Sequence, residues 1–254
     1  MNLYENNNLK YSEIFDQRGS DYHNAMSLIP SARDYEFNSL LNQVTIEDGM
    51  TIIDIPSGGN YVSRYLKNKV NVIPLETSEV FAKLGNSQMC SWSALPLENN
   101  SADIIFCCAA FHHVEEIDRR KFINEAHRIL KTNGKLVIAD VKVNTAAARF
   151  LNEFVNTYNS LGHIGDFMDD KFSNIYASKE MKSYASNFIY FTWVFSDDIE
   201  ESIQYLKLMF GIDKADFKTI LEEVKKTLNF SKRLEEEAYC IDWALNYEVF
   251  SKAE

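Results

Sequence analysis

The stretch Met50-Thr51-Ile52-Ile53-Asp54-Ile55-Pro56-Ser57-Gly58-Gly59-Asn60 decides how the rest of the chain is read. Its first half is a short, β-branched run bounded by Asp48-Gly49 and Pro56, which predicts a buried strand. Its second half is a turn, and a helix is expected over 61–68. A glycine in such a turn lets backbone approach a ligand closely. The helix that follows would offer free N–H groups at the same place. No Gly-Lys-Ser/Thr follows, so this is not a P-loop, and the G-x-G-x-x-G spacing of the dinucleotide fingerprint is absent. Taken alone, the two glycines equally describe a tight strand–helix connection.

Working outward, apolar runs over 70–75, 103–109 and 135–141 predict further strands, and 78–84 and 118–130 predict helices. Asn133-Gly134 is read as the stop of the second helix. Strands that are continuous apolar runs joined by helices imply a Rossmann-like α/β fold, a doubly wound and mostly parallel sheet. Its crossovers would be right-handed, and ligands would bind at the carboxyl ends of the strands. Upstream, 3–43 is expected to be helical, with a break near Gly19 and an apolar stripe of Ala32, Tyr35, Phe37 and Leu40-Leu41. Downstream the texture changes. Residues 144–195 are rich in aromatics and helix-like, 197–228 read as two helices broken at Gly211, and 239–250 as one or two strands. The expected organisation is an N-terminal helical cap (1–43), a ligand-binding core (44–141), a helical substrate-cap insertion after the fifth strand (142–196), and helices and strands that complete the core (197–254).

Composition narrows the function classes. The 254 residues are 46% hydrophobic and 25% charged, ordinary for a globular protein. A formal charge of -11 argues against a general nucleic-acid binder, which needs phosphate-neutralising Lys and Arg. The longest purely apolar run, 104–111, is far short of the roughly 20 residues of a membrane span. Asn-rich 1–10 does not read as a secretory signal. The cysteines, Cys90, Cys107, Cys108 and Cys240, lack metal-ligand spacing and read as reduced thiols of a cytoplasmic protein.

Three more places carry chemistry. Glu76 ends the second strand, where a carboxylate can accept two hydrogen bonds from a ribose diol or simply be a solvated charge. Ser91-Trp92 can border a planar base, or Trp92 can be a core residue in a loop. His112-His113 follow a strand end and are candidates for base work. No metal is expected, since neighbouring side chains in a turn diverge and no third ligand is obvious.

Residues 50–141 resemble the class I S-adenosylmethionine-dependent methyltransferases, in the branch that acts mostly on small molecules and lipids. The resemblance rests on Ala94-Leu95-Pro96-Leu97 with Asp103, on Phe111-His112-His113-Val114, and on Glu125-Ala126-His127-Arg128-Ile129-Leu130-Lys131-Thr132-Asn133-Gly134-Lys135-Leu136. These are similar to the family's "LP" loop, "LHHV" turn and "E-x-x-R-x-L-K-x-G-G" helix exit. The glycine motif departs from the family's Asp-x-Gly-x-Gly-x-Gly: the corresponding positions hold Asp54, Pro56, Gly58 and Asn60. Pro56 removes a donor, while Asn60 can still enter the left-handed region.

The resemblance implies methyl transfer from S-adenosylmethionine, with S-adenosylhomocysteine as product. It places Asp54, Pro56 and Gly58 near the methionine part, Glu76 and Thr77 at the ribose, and Ser91 and Trp92 at the adenine. Ala109 would lie near the amino end, and Arg18 and Tyr22 would close over the cofactor. His112 is the first candidate for general base and His163, in a Gly-flanked turn, the second. His113, Tyr158, Phe167, Tyr190 and Trp193 are the expected substrate contacts. The partner would be a small molecule, with neither nucleic acid nor membrane involved. Two rivals stand beside this reading. One is an enzyme that transfers or cyclises the cofactor's aminocarboxypropyl arm, and the other is an idle methyltransferase-like partner subunit.

Overall fold

The computed structural model describes residues 9–253. The part of the expected N-terminal cap that falls on 1–8 lies outside the described residues. An eight-stranded sheet forms the centre. Its strands are β1 (Thr51–Asp54), β2 (Asn71–Glu76), β3 (Gln88–Met89), β4 (Ala102–Cys108), β5 (Leu130–Asp140), β6 (Met181–Val194), β7 (Ser231–Arg233) and β8 (Ala238–Lys252). The order is β3-β2-β1-β4-β5-β8-β6, with β7 also paired to β8. The first five strands pair in parallel, whereas β8 runs antiparallel to β5, β6 and β7. The doubly wound, mostly parallel sheet is therefore present, with an antiparallel second half.

Alternation along the strands feeds two apolar cores, one per face. Ile52, Ile104 and Phe106 enter one core, and Ile53, Ile105 and Cys107 enter the other. The helices covering these faces are α1 (Tyr11–Leu28), α2 (Asp34–Leu41), α3 (Glu79–Gly85), α4 (Glu116–Ile129), α5 (146–158), α6 (Phe172–Tyr176), α7 (Ile199–Phe210) and α8 (Phe217–Leu228). Their starts are set by local chemistry. Ser78 Oγ accepts from Phe81 N, Thr145 Oγ1 from Ala148 N and Asp216 Oδ1 from Thr219 N, each satisfying an amide the helix cannot. Gly211 closes α7 at φ 62°, as expected from sequence.

Four expectations fail, each for a physical reason. Gly19 does not break α1, which runs through it. A Cβ there would lie 3.2 Å from Val80 Cγ1, so the glycine lets α1 approach α3. Residues 61–68 hold only a 3-10 turn, Val62–Tyr65. Asn133-Gly134 does not stop α4. That helix ends at Ile129, and the pair lies inside β5 with Asn133 at φ 66°. Most consequentially, 142–196 is helical only over 146–158 and 172–176 and does not continue as a helical cap. Its last quarter is β6, an edge strand of the sheet, in which Ile189, Phe191 and Trp193 face the core while Tyr190 faces out. That is a period of two, which the aromatic density of the segment masks.

Candidate active site

Strand β1 lies between β2 and β4, so the chain reverses its direction of winding there, and the carboxyl ends of these strands leave a crevice. Asp54, the last residue of β1, is buried and its Oδ2 has no hydrogen-bond partner. Burial, and then the charge of Glu76, hold its carboxyl well above the usual carboxylate range. The turn that follows places Gly58 at φ 55° and Asn60 at φ 60°. Gly58 N donates to Glu76 Oε2 at 2.7 Å. The other Glu76 oxygen accepts from Thr77 N at 2.6 Å and Ser78 N at 3.0 Å. Burial raises the Glu76 carboxyl to about 7, and these amides pull it back only in part.

Three cavities line this edge. The first, about 50 Å³, is bounded by Asp54, Pro56, Ser57, Gly58, Tyr61 and Ala109. The second, about 170 Å³, is bounded by Thr77, Cys90, Ser91, Trp92 and His113. Tyr11 lines both and donates to Glu76 Oε2 at 3.4 Å, so it stands between them. The third, about 60 Å³, is bounded by Arg18, Glu36, Ala109, His112, His113, His163 and Trp193. Tyr22 and Ala109 border both the first and the third. Ala109 sits at φ 52°, a strained position for a residue with a Cβ, at the junction of the two.

The third cavity holds a histidine cluster. His112 Nδ1 lies 2.7 Å from Asp140 Oδ1, and the same carboxylate accepts from His112 N at 2.8 Å and Val141 N at 2.7 Å. An ionised carboxylate only accepts, so Nδ1 carries a proton, and in the neutral imidazole Nε2 is the nitrogen that keeps its lone pair. His113 and His163 are held well below the ordinary histidine range, in both cases first by burial and then by the neighbouring His112. Arg18 is buried and lowered to about 10 by desolvation. One of its terminal nitrogens donates to Met209 O, and its Nε has no partner.

The expected site residues divide accordingly. Asp54, Pro56, Gly58, Ala109, Thr77, Ser91 and Trp92 line the first two cavities. Glu76 lies beneath them, fully covered. Trp92 is also a core residue, its ring 5.3 Å from that of Phe122. Arg18 is displaced from its expected role, since it lines the histidine cavity and not the first one. His112, His113, His163 and Trp193 come together, and the ring of Phe167 packs 5.4 Å from that of His112. The expectation that His112 and His113 diverge fails, because their ring centroids are 4.0 Å apart and His163 joins them. Tyr190 is 76% exposed on the outer face of β6, and Tyr158 packs on Phe154 away from the cavity, so neither touches this site.

Five residues at the site escape the sequence reading: Tyr11, Asp140, Arg33, Glu36, and Asn152, whose Oδ1 lies 3.2 Å from His163 Nδ1. Tyr11 and Asn152 carry no signal in the sequence. Asp140 does carry one, as a lone acid closing an apolar strand. The Arg33–Glu36 ion pair is buried in α2's first turn, and Glu36 further accepts from Trp193 Nε1 at 2.8 Å.

The unpaired polar groups of the crevice suit an adenosyl-amino acid. Buried Asp54 Oδ2, Asn60 Oδ1 and Thr77 Oγ1 lack partners, and the turn at Gly58 admits close backbone approach. Comparison with known proteins agrees. Residues 53–138 match the family model described as "Methyltransferase domain". A curated relative, ribosomal RNA-processing protein 8 of Arabidopsis thaliana, is 27% identical over 131 residues, or 51% of this chain and 42% of that protein. The chain thus spans less than half the length of that relative. A Thermotoga maritima structure described as a SAM-dependent methyltransferase, possible histamine N-methyltransferase, superposes with a TM-score of 0.62 at 14% identity, covering 96% of this chain and all of that one. Phosphoethanolamine N-methyltransferase 2 of Haemonchus contortus, solved with S-adenosylhomocysteine, gives 0.59 at 14% identity over 97% of this chain and 61% of its own. At such identities the likeness of the structures is one of fold.

Proposed function

Carrying a class I S-adenosylmethionine-dependent methyltransferase domain over residues 53–138, with S-adenosylmethionine as its cofactor, the chain is, we propose, an enzyme that methylates a small molecule. The observation that carries this reading is that the two cavities adjoin: the one at Asp54 and Gly58 shares Tyr22 and Ala109 in its wall with the one that holds His112. A group bound on the first side would face an acceptor on the second.

Asp54, Gly58 and Asn60 would hold the amino-acid end, Glu76 and Thr77 the ribose, and Ser91 with the edge of Trp92 the base. S-adenosylmethionine bound there supplies an already activated methyl group. The protein's work is then alignment, water exclusion and proton removal. Alignment alone is worth an effective molarity of about 10⁵–10⁸ M in favourable cases. The cavity walls at Phe15, Tyr22 and Trp193 exclude water. His112, aimed by Asp140, accepts the acceptor's proton at Nε2. Because Tyr11 covers Glu76 between two cavities the cofactor must bridge, its ring has to yield when the cofactor enters.

The small size of the third cavity and the acidity of the chain favour a small acceptor over an RNA. The test is product analysis with labelled cofactor over a panel of small amines, phenols and carboxylates. S-adenosylhomocysteine as product supports methyl transfer. Methylthioadenosine would instead mean transfer of the aminocarboxypropyl arm, and failure to bind S-adenosylhomocysteine would mean an idle partner subunit.

A further inference from the structure

The three imidazoles of the inner cavity are arranged in a way that proton transfer alone does not require. One ring nitrogen from each of His112, His113 and His163 lies within 4.8 Å of the other two. Ring centroids are 4.0, 4.9 and 5.4 Å apart. Among the described residues no hydrogen bond joins any two of these rings, so the nitrogens approach without a proton shared between them.

Two of the lone pairs are assigned by what lies behind each ring. Asp140 fixes the proton of His112 on Nδ1. Behind His163 stands Asn152, whose Oδ1 accepts from Gly165 N at 2.7 Å while its Nδ2 donates to Gly165 O at 3.0 Å. The atom that faces His163 Nδ1 at 3.2 Å is that same Oδ1, so His163 Nδ1 is a donor and its Nε2 an acceptor. Backing a ring nitrogen with a carboxylate or amide oxygen is how metal-binding histidines are oriented. His113 has no ring hydrogen bond among the described residues.

We propose that His112, His113 and His163 hold a divalent transition-metal ion, of the zinc class, in the cavity beside Arg18. Three neutral nitrogens with no carboxylate oxygen among them suit zinc, cobalt, nickel or copper and not magnesium or calcium. Three protein ligands leave a coordination position open. The cavity that the three histidines line also holds the guanidinium of Arg18, nine-tenths buried, with its Nε unpartnered. A cation beside a cation is unfavourable unless an anion lies between them. The fourth ligand is therefore an anionic donor, such as chloride, hydroxide or an acidic oxygen of the substrate, and Arg18 is its counter-group. This goes beyond methyl transfer and does not depend on it. With the ion seated the lone pair of His112 is committed, so its role as a base belongs to the metal-free protein.

The experiment uses the full chain, freed of any polyhistidine tag and stripped with chelator, then titrated with Zn²⁺ by calorimetry and with Co²⁺ by visible absorption. The expected result is one ion per chain with sub-micromolar affinity and the d–d bands of a low-coordinate cobalt site. Asp140→Asn should weaken binding by about tenfold to a hundredfold. His113→Ala and His163→Ala should abolish it, while His127→Ala, which alters a histidine outside the cluster, should not. If a cluster variant fails to fold, the wild-type titration and Asp140→Asn still decide. The site is overturned if the wild type binds Zn²⁺ and Co²⁺ no more tightly than the His163 variant, or if His127→Ala removes binding as fully. S-adenosylhomocysteine titrated in parallel separates the two readings: loss of metal binding with that ligand still bound removes the metal site and leaves the methyltransferase.

Discussion

The two sides of the crevice are built from different material. The side at Asp54 and Glu76 is largely backbone: the amides of Gly58, Thr77 and Ser78, in the turns that follow two paired strands, converge on one carboxylate. The histidine side is made of side chains from separate parts of the chain. Arg18 comes from α1, His112 and His113 from the end of β4, His163 from a loop and Trp193 from β6. A site built of backbone around a single carboxylate tolerates substitution everywhere except at that carboxylate. A site of assembled side chains can be dismantled one residue at a time.

That contrast can be broken or sharpened by measurement. The largest effect belongs to the side-chain half: His112→Ala should lower kcat by about 10²–10⁴-fold, the usual contribution of a general base, with S-adenosylhomocysteine affinity little changed. Near-full kcat at saturating substrate would remove His112 from the mechanism. On the backbone half, Glu76→Ala should weaken S-adenosylhomocysteine by about 1.5–3 kcal/mol, the range for hydrogen bonds to a charged group. Unchanged affinity in calorimetry would show that Glu76 only braces the turn.

A smaller effect follows from the acidity of Glu76. Its carboxyl is raised from 4.5 to about 7 in the fold. Between those values the unfolded chain has lost the proton and the folded one keeps it. Stability from this group is therefore full below pH 4.5, falls as pH rises through about 7, and stays level above. Urea midpoints of the wild type should carry this downward slope relative to Glu76→Gln, which lacks it. Since a ribose diol donates to the ionised carboxylate, cofactor affinity should rise over the same window. The smallest effect is on the outer face of β6: Tyr190→Ala should change stability by no more than about 0.5 kcal/mol and leave turnover intact. A large loss there would mean the exposed tyrosine meets something outside the chain.

The parallel half of the sheet was legible because each strand is a short apolar run with its own punctuation, from Asp48-Gly49 to Pro56 in the case of β1. Residue positions at strand ends followed from that, and so did Asp54, Glu76 and His112. The antiparallel half was not legible, because β6 carries aromatics on both faces and its partner β8 begins only at Ala238, beyond two helices. Local pattern has no access to such a partner. The same limit explains the site. His163 could be suspected from its flanking glycines. That it meets His112 depends on a loop folding back, as when Asp166 N donates to His112 O at 3.0 Å. Tyr158 and Tyr190 were chosen for composition, and composition does not tell which face of an element a ring occupies.

The placement of β8 has a consequence for how the molecule is made. It is the last strand of the sheet in sequence, yet it lies inside, hydrogen-bonded to β5 on one side and to β6 on the other, with β7 also paired to it. During synthesis, β5 must therefore wait with one edge open until residues up to Lys252 have emerged. An open apolar edge is a template for pairing with other chains. The nascent chain is thus most exposed to aggregation while α7 and α8 are being made. Trp193, carried on β6, reaches its place beside the histidines only when the final strand closes that gap.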